Sequence, residues 1–176
     1  MEQGNYPMEL QIQDYRDVRG LFDRICSIGM FEHVGPRNHK DYMKVAHRCL
    51  KKSGLFLLHT IGSNTSKYHP NPWIHKYIFP NGILPSIQQI GRASERLFIM
   101  EDWHNFGAYY DKTLMAWYEN FNQAWDTLKK DYDHRAFYRM WKYYLLACAG
   151  AFRARDIQLW QIVFSKGGII NGYQSI

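Results

Sequence analysis

Cysteine, long apolar runs and clustered metal ligands are scarce or absent in this sequence of 176 residues. No apolar stretch approaches the ~20 residues of a membrane-spanning helix, and the polar start Met1–Asn5 lacks the pattern of a signal peptide. Cys26, Cys49 and Cys148 are dispersed, as are the eight histidines, so neither a disulfide framework nor a zinc motif is present. The sequence therefore predicts a reducing, cytoplasmic compartment and no metal site.

Acidic residues are also few, since 16 Asp and Glu face 22 Lys and Arg and give a formal net charge of +6. Such a balance is compatible with nucleic acid or with an anionic membrane surface. No RNA-recognition or zinc-finger signature and no dense Lys/Arg tract occurs, so we expect no nucleic-acid partner. The 13 Tyr, 10 Phe and 6 Trp residues indicate a large apolar cavity or an amphipathic contact surface, although a well-packed core would account for most of them.

The pattern of apolar residues predicts alternating strands and helices. Strands are predicted at 8–13, 22–28, 55–58, 96–101 and 157–164, and helices at 37–50, 86–92, 113–129 and 133–153. Lys51–Gly54 is interpreted as the end of the first helix, with basic residues followed by a glycine stop. Residues 62–86 form a long irregular segment, and loops of this length in a compact domain are usually functional.

This order of elements matches the second half of a doubly wound α/β fold. A complete fold of this kind would begin with a strand and a glycine-rich turn, but no G-x-G-x-x-G motif follows a strand here. We therefore expect a partial Rossmann-like domain that lacks its first strands and glycine-rich loop.

Glu32 and His59 follow two of the predicted strands, which are interpreted as buried and parallel. In open α/β sheets, ligands bind in the crevice beyond the carboxyl ends of the strands. We therefore expect these two side chains to lie together in that crevice.

Several segments, taken together and in order, resemble the cyclopropane-fatty-acyl-phospholipid synthases, which are class I S-adenosylmethionine-dependent enzymes related to the mycolic acid cyclopropane synthases. The resemblance covers nearly the whole chain, and each segment alone is weak. The segments are Gln13–Asp17, Gly29–Pro36, Leu57–Ser63, Trp73–Gly82, Glu101–Gly107, Tyr110, Leu114–Tyr118 and Ala147–Arg153.

The resemblance implies transfer of a methyl group from S-adenosylmethionine to a cis double bond of a phospholipid acyl chain, followed by proton loss and ring closure. It implies that Glu32, His59 and Tyr110, with the backbone at Ile61, hold a bicarbonate ion that serves as the base. Donors on His59 and Tyr110 and an acceptor on Glu32 suit such an ion.

The resemblance also assigns Asp14, Tyr15 and Arg16 to the segment that meets the adenine of the methyl donor, although a solvated turn is the alternative for Tyr15 and Arg16. Cys148 matches a cysteine discussed as catalytic in the family, but a cysteine on an apolar helix is as often a small buried residue. His33, His75 and His104 are interpreted as structural. Met115, Trp117 and Tyr118 are candidates for an acyl channel, although aromatic stripes at helical spacing usually belong to the core.

The chain departs from the family because the glycine-rich donor loop, an adjacent cysteine and a smaller N-terminal domain have no counterpart. We therefore expect residues 1–176 to be the C-terminal portion of a methyltransferase domain, with 62–86 and 102–155 on the substrate side. Such a portion would expose a sheet edge and could form a homo-oligomer. We also expect peripheral membrane contact through residues 64–82.

Three further functions remain open beside the synthase. A relative could methylate a lipid alkene without closing a ring, and an inactive remnant could bind only a membrane or a partner. A nucleic-acid methyltransferase is disfavoured, because it would typically carry an Asn/Asp-Pro-Pro-aromatic motif and none occurs.

Overall fold

A four-stranded mixed sheet forms the centre of the protein in a computed structural model that describes residues 7–130 and 134–175. In chain order the strands are β1 Phe22–Ile28, β2 Leu50–Ser63, β3 Ile99–Asn105 and β4 Ile157–Ser165. Their spatial order is β1-β2-β4-β3, with β1 parallel to β2 and β4 antiparallel to both β2 and β3. A 3-10 turn covers Tyr15–Asp17, and the helices are α1 Phe31–Val34, α2 His39–Cys49, α3 Pro72–Tyr77, α4 Ile87–Ser94, α5 Gly107–Leu128 and α6 His134–Arg153.

Two apolar clusters cover the two faces of the sheet. Phe56 and Leu58 of β2 pack with Phe164 of β4 against the side chains of α2 and α4, whereas Leu159 of β4 packs with α5 and α6. Successive side chains of a strand point to opposite faces, so the apolar residues of β2 and β4 serve both layers. The helix–sheet–helix arrangement confirms the predicted α/β class.

Two glycines of β2 permit close contacts within this core. A Cβ at Gly62 would lie 2.0 Å from the Trp160 ring, and a Cβ at Gly54 would lie 2.7 Å from a side-chain carbon of Leu50. Lys51–Gly54 therefore belongs to β2, and the predicted glycine stop of the preceding helix is wrong. That helix ends at Cys49 because Leu50 already pairs with Phe22 of β1.

The predicted strand over 8–13 is also wrong, because residues 7–14 have no regular secondary structure. Ile12 is 98% exposed, and no strand among the described residues pairs with this segment. Apolar–polar alternation gives a strand only where a neighbouring strand accepts its hydrogen bonds. Asp14 accordingly precedes a 3-10 turn instead of ending a strand.

The remaining predicted elements are present with altered bounds. β1 coincides with its prediction but is largely exposed, so its interpretation as a buried strand is wrong. β2 is much longer than predicted, β3 begins three residues later, and α5 begins six residues earlier. The 62–86 segment contains the short helix α3, whose start is capped by the Asn71 side chain accepting from Trp73 and Ile74. Asp133, the predicted start of α6, lies outside the described residues.

Within the described ranges, no helix combines the length and apolarity that crossing a membrane requires.

Candidate active site

The candidate site lies where β1 ends beside its parallel neighbour β2, which continues to Ser63. Ile28 is the register partner of His59, and the N–H of Gly29 donates to the His59 carbonyl at 3.0 Å. Gly29 has φ of 63°, a left-handed conformation that glycine adopts without strain. The chain turns there into α1, which carries Glu32. The predicted proximity of Glu32 and His59 follows from this pairing.

The two oxygens of the Glu32 carboxylate differ in their contacts. Glu32 is only 7% exposed, and its Oε1 accepts a hydrogen bond from the Ile61 N–H at 2.7 Å. Its Oε2 is buried and has no hydrogen-bond partner among the described residues. Buried carboxylate oxygens are rarely left without a donor. The unpaired Oε2 therefore marks a position where a ligand's donor would fit.

The Ile61 backbone reaches the site through that same hydrogen bond. The Ile61 N–H already donates to Glu32 Oε1. This hydrogen bond orients the carboxylate and leaves the N–H unavailable as a donor to an anion.

A glutamine that the sequence interpretation missed sets the orientation of His59. Gln161 on β4 is the register partner of His59, and its Nε2 lies 3.1 Å from His59 Nδ1. An amide nitrogen only donates, so Nδ1 accepts and Nε2 carries the imidazole proton. Only the antiparallel pairing of β2 with β4 brings the two together, and sequence patterns did not reveal that pairing.

Burial lowers the pKa of His59, and the nearby Glu32 carboxylate partly opposes this shift. His59 is therefore a neutral imidazole near pH 7 and offers its Nε2–H as a hydrogen-bond donor.

Tyr110 and Cys148 face each other from the two long helices. Tyr110 of α5 packs edge-on against Phe152 of α6 at 5.1 Å. Burial raises the pKa of Tyr110, with further contributions from Cys148 and Glu32. Tyr110 is therefore in the same electrostatic neighbourhood as Glu32 and remains a protonated donor.

Burial raises the pKa of the Cys148 thiol to about 11, and the pKa of the neighbouring Tyr144 to about 12. A thiol with a raised pKa is a poor nucleophile at neutral pH, because the thiolate is the reactive form. These properties favour Cys148 as a partly buried residue that lines the site and not as a nucleophile.

The segment between β2 and α4 passes directly beside Glu32. The Ile83 N–H donates to the Glu32 carbonyl at 2.9 Å. Phe79 makes edge contacts with His33 at 5.8 Å and with Tyr144 at 6.0 Å, so it bridges α1 and α6. His75 Nδ1 accepts from the Asn81 N–H, which supports a structural role for His75.

Asp14, Tyr15 and Arg16 lie at a different place, beside the free edge of β1. Tyr15 lines a groove of about 350 Å³ together with Ile28, Met30 and other residues of β1 and α2. The Asp14 carboxylate is exposed and pairs with Arg16, which donates twice to Oδ1 and once to Oδ2. That pair holds the pKa of Asp14 down at about 2. Since each carboxylate oxygen can accept two hydrogen bonds, Oδ2 keeps the capacity to accept from an adenine amino group.

Metal ligation has no support in the described residues, which contain no group of three His, Cys, Asp or Glu able to hold an ion.

Comparisons with known proteins agree on one family. Residues 2–162 match the family described as mycolic acid cyclopropane synthetase. The chain is 64% identical over 156 residues to the cyclopropane-fatty-acyl-phospholipid synthase of Escherichia coli K12, covering 89% of this chain and 41% of that protein. It is 31% identical over 169 residues to the tuberculostearic acid methyltransferase UfaA1 of Mycobacterium tuberculosis, covering 92% of this chain and 39% of that protein.

The fold is that of the class I S-adenosylmethionine-dependent methyltransferases. The mycolic acid cyclopropane synthase CmaA1, solved in complex with SAH and CTAB, superimposes with a TM-score of 0.78 at 28% identity. The match covers 86% of this chain and 58% of that structure. The chain thus spans roughly two fifths of the length of the relatives named above.

Proposed function

The chain belongs to the mycolic acid cyclopropane synthetase family, and we propose that it serves S-adenosylmethionine-dependent cyclopropanation of an unsaturated acyl chain of a phospholipid. The observation that carries this proposal is the Glu32 carboxylate, buried beside His59 and Tyr110 with one oxygen unpaired. The 64% identity to a cyclopropane-fatty-acyl-phospholipid synthase supports the choice of substrate.

The proposed reaction forms two carbon–carbon bonds. One alkene carbon takes the methyl group as its bond to the donor's sulfur breaks, releasing S-adenosylhomocysteine and leaving a cation on the other alkene carbon. Loss of a proton from the added methyl group frees an electron pair, which closes the ring onto that cation. The protein must therefore supply a base beside the methyl group and stabilise positive charge.

We infer that Glu32, His59 and Tyr110 bind bicarbonate, which when bound supplies the base. Glu32 Oε2 would accept its hydroxyl hydrogen, while His59 Nε2–H and the Tyr110 hydroxyl would donate to its oxygens. Gln161 keeps the proton of His59 on Nε2, and Ile61 holds the carboxylate in place. Cys148 and Tyr144 border the site as neutral groups, so neither offers an anion that would attack the cation formed on the alkene carbon.

For the methyl donor, we propose that Asp14, Tyr15 and Arg16 meet the adenine in the groove beside β1. The spare acceptor capacity of Asp14 Oδ2 and the Tyr15 ring lining the groove support this assignment. Calorimetric titration of the 176-residue chain with S-adenosylhomocysteine tests it. Asp14→Ala should weaken the binding that the titration detects, and the absence of heat from a folded sample would show that the donor site needs further protein.

Product analysis tests the reaction itself. The chain is incubated with S-adenosylmethionine and phospholipid vesicles of unsaturated acyl chains, and the recovered fatty acids are analysed by mass spectrometry and proton NMR. Addition of one CH2 with upfield cyclopropane resonances is expected, and Glu32→Gln should lower the rate by about 100-fold or more. Removal of bicarbonate should lower the rate of the unaltered chain but not that of Glu32→Gln.

A second function, methylation of a lipid alkene without ring closure, is favoured by the similarity to UfaA1, whose name describes a methyltransferase. Both products gain one CH2 and have the same mass, so mass spectrometry does not distinguish them. The NMR spectrum does, because only the cyclopropane gives upfield ring resonances.

A third function, association with a partner, is favoured by the exposed edge of β1. Leu21, Phe22 and Ile28 are exposed there, and the adjoining groove is largely apolar. We propose that the isolated chain forms a homo-oligomer through this edge. Sedimentation velocity at two concentrations tests it, and a constant monomeric mass would refute it.

We further propose that the protein is cytoplasmic and meets the membrane peripherally through residues 64–82. Lys67 and Lys76 are exposed in this segment, and Tyr68 and Tyr77 expose large aromatic surfaces. Reversing the charge of both lysines should reduce sedimentation with anionic vesicles. Unchanged sedimentation would remove this segment from the membrane contact.

A further inference from the structure

A second groove runs between α3 and α6, away from the free edge of β1. Its volume is about 1050 Å³, which is at the upper end of the range for ligand sites. We call it the α3–α6 groove, and its lining includes Trp73, Tyr77, Arg139, Lys142, Tyr143 and Ala147.

One end of the α3–α6 groove is cationic. Arg139 and Lys142 line it on α6, and Lys76 of α3 lies over the ring of the lining residue Tyr77, 5.0 Å from its centroid. The sequences of α3 and α6 contain no Asp or Glu, so neither helix supplies a carboxylate to neutralise these cations. Among the described residues, none of the three forms an ion pair with a carboxylate. Lys142 instead lies over the rings of Tyr118 and Tyr138, at 5.8 and 6.0 Å from their centroids.

The rest of the groove is aromatic and apolar. Trp73 of α3 packs edge-on against Tyr143 of α6 at 4.5 Å and tilts against Tyr77 at 5.3 Å. Tyr143 is 56% exposed despite this packing, so its ring presents surface to the groove. Aromatic rings with a polar tip suit a ligand that is apolar along its length and polar at one end.

The α3–α6 groove and the candidate active site both use residues of α6. Ala147 lines the groove, and the next residue is Cys148, which lies beside Tyr110. Phe79, two residues after the end of α3, contacts the ring of Tyr144. Tyr144 lies one helical turn before Cys148 on α6. From Arg139 to Cys148 the helix rises about 14 Å, at 1.5 Å per residue. One acyl chain spans about 15 Å, half the thickness of a bilayer's hydrocarbon core.

We propose that the α3–α6 groove binds the phosphate diester and the adjoining acyl segment of the phospholipid substrate. Arg139 and Lys142 contact the phosphate, Trp73 and Tyr143 contact the glycerol ester region, and the acyl chain continues past Ala147 toward Cys148 and Tyr110. This assignment rests on the proposed function, because it names how that same substrate is held.

The size and lining of the groove select a lipid over a free phosphate. A free phosphate would fill a small fraction of the volume and would gain nothing from Trp73 and Tyr143. A phospholipid brings a negative charge to the cationic end and an apolar chain to the aromatic part.

Calorimetric titration with a water-soluble short-chain phosphatidylglycerol tests the proposal on the whole chain. Inorganic phosphate and the matching short-chain diacylglycerol are titrated in parallel, and the phosphatidylglycerol should bind at least about tenfold more tightly than either. Equal binding of the diacylglycerol would overturn the role of the cations. Equal binding of inorganic phosphate would overturn the role of the aromatic lining.

Charge variants assign the binding to the groove. The double variant Arg139→Gln with Lys142→Gln should weaken phosphatidylglycerol binding about tenfold, and Lys142→Arg should keep it. Lys52→Glu is the matched control, because Lys52 is exposed near the start of β2 and outside the groove. If the double variant and the control bind alike, the groove is not the site.

The titration also separates this proposal from the proposed reaction. Glu32→Gln should lower the rate of cyclopropane formation by about 100-fold or more, while phosphatidylglycerol binding persists. Loss of product with binding intact would count against the reaction alone, whereas loss of groove dependence with product intact would count against the groove alone.

Discussion

At the scale of single residues, Gln161 decides which nitrogen of His59 donates. Its amide nitrogen lies 3.1 Å from Nδ1, and without it the two neutral tautomers of the imidazole would both be populated. Gln161→Leu should therefore lower the rate of product formation about tenfold, since the loss of one oriented donor costs about 1.4 kcal/mol. Nitrogen NMR of the His59 ring should show mixed tautomers in this variant. Gln123→Leu, on the exposed surface of α5, is the control, and an unchanged His59 spectrum in Gln161→Leu would refute the positioning role.

The raised pKa of Cys148 predicts a slow reaction with alkylating agents. Cys26 is exposed on β1, whereas Cys148 is partly buried and its pKa is about 11. The reactive thiolate is then scarce at pH 8, so iodoacetamide should label Cys26 well before Cys148. Peptide mass mapping over time measures both rates. Faster labelling of Cys148 would reveal an activated thiol and restore the nucleophile interpretation.

His39 should make folding stability depend on pH. It is buried against Phe31, with ring centroids 4.2 Å apart, and burial lowers its pKa to about 4. In the unfolded chain the pKa returns to its usual value near 6.5. Between those values the unfolded state binds more protons, so the free energy of unfolding falls as pH is lowered, by at most ~1.4 kcal/mol per pH unit.

Urea unfolding at pH 7 and pH 5 measures this dependence. His39→Leu should flatten it, and His69→Gln, at an exposed position, should leave it unchanged. A slope that persists in His39→Leu would assign the dependence to other groups.

At the scale of elements, Gly62 limits how closely β2 and β4 pack around Trp160. An added Cβ would overlap the indole, and Trp160 is fully buried, so the ring cannot move aside without disturbing the core. Gly62→Ala should lower the free energy of unfolding by about 2–3 kcal/mol. Gly91→Ala is the control, because α4 leaves open space at that position and alanine should stabilise the helix by about 0.5–1 kcal/mol. Thermal unfolding of both variants checks the opposite signs.

Elements with a complete local signal could be predicted from the sequence. β1, β4, α2 and α6 are close to their predicted bounds. α4 begins at Ile87, one residue after the predicted start at Ser86, which is its N-cap and makes a capping box with Gln89. β2 was underestimated because Lys51–Gly54 resembles a helix end, and its pairing with β1 overrides that pattern. The 8–13 segment alternates as a strand does but has no described partner.

The candidate site was predictable only in part, for a similar reason. The predicted strands before Glu32 and His59 foretell the proximity of these residues if the strands are neighbours and parallel. The prediction that His59 follows its strand is wrong, because β2 continues to Ser63. The Gln161 contact and the Ile61–Glu32 hydrogen bond depend on strand order and on where α1 turns back, which are properties of the folded chain. The roles of Asp14, Tyr15, Arg16, Tyr110 and Cys148 stay predictions.

At the scale of the whole molecule, the two edges of the sheet are unequally protected. The outer strand β3 carries Glu101 and Asp102 and an irregular register between Met100 and Asp102, features that discourage pairing with another strand. β1 has such features only in its first half, where it carries Asp23 and Arg24 and has a register shift between Phe22 and Arg24. Its last four residues, Ile25–Ile28, carry no charge and adjoin the apolar groove beside α2. The free backbone groups of β1 are therefore the more available template for another strand.

A positive charge on β1 should accordingly reduce self-association more than the same charge on β3. Ile28 is 68% exposed, so Ile28→Lys removes apolar surface at the edge without burying the new ammonium. Met100→Lys is the matched control, at an exposed position on β3. Sedimentation velocity should give a mixture of monomer and oligomer for the unaltered chain and for Met100→Lys, and a larger monomer fraction for Ile28→Lys. If Met100→Lys is instead the variant that dissociates, the oligomer forms through β3. The groove beside β1 would then be open to the methyl donor in the oligomer, as it is in the monomer.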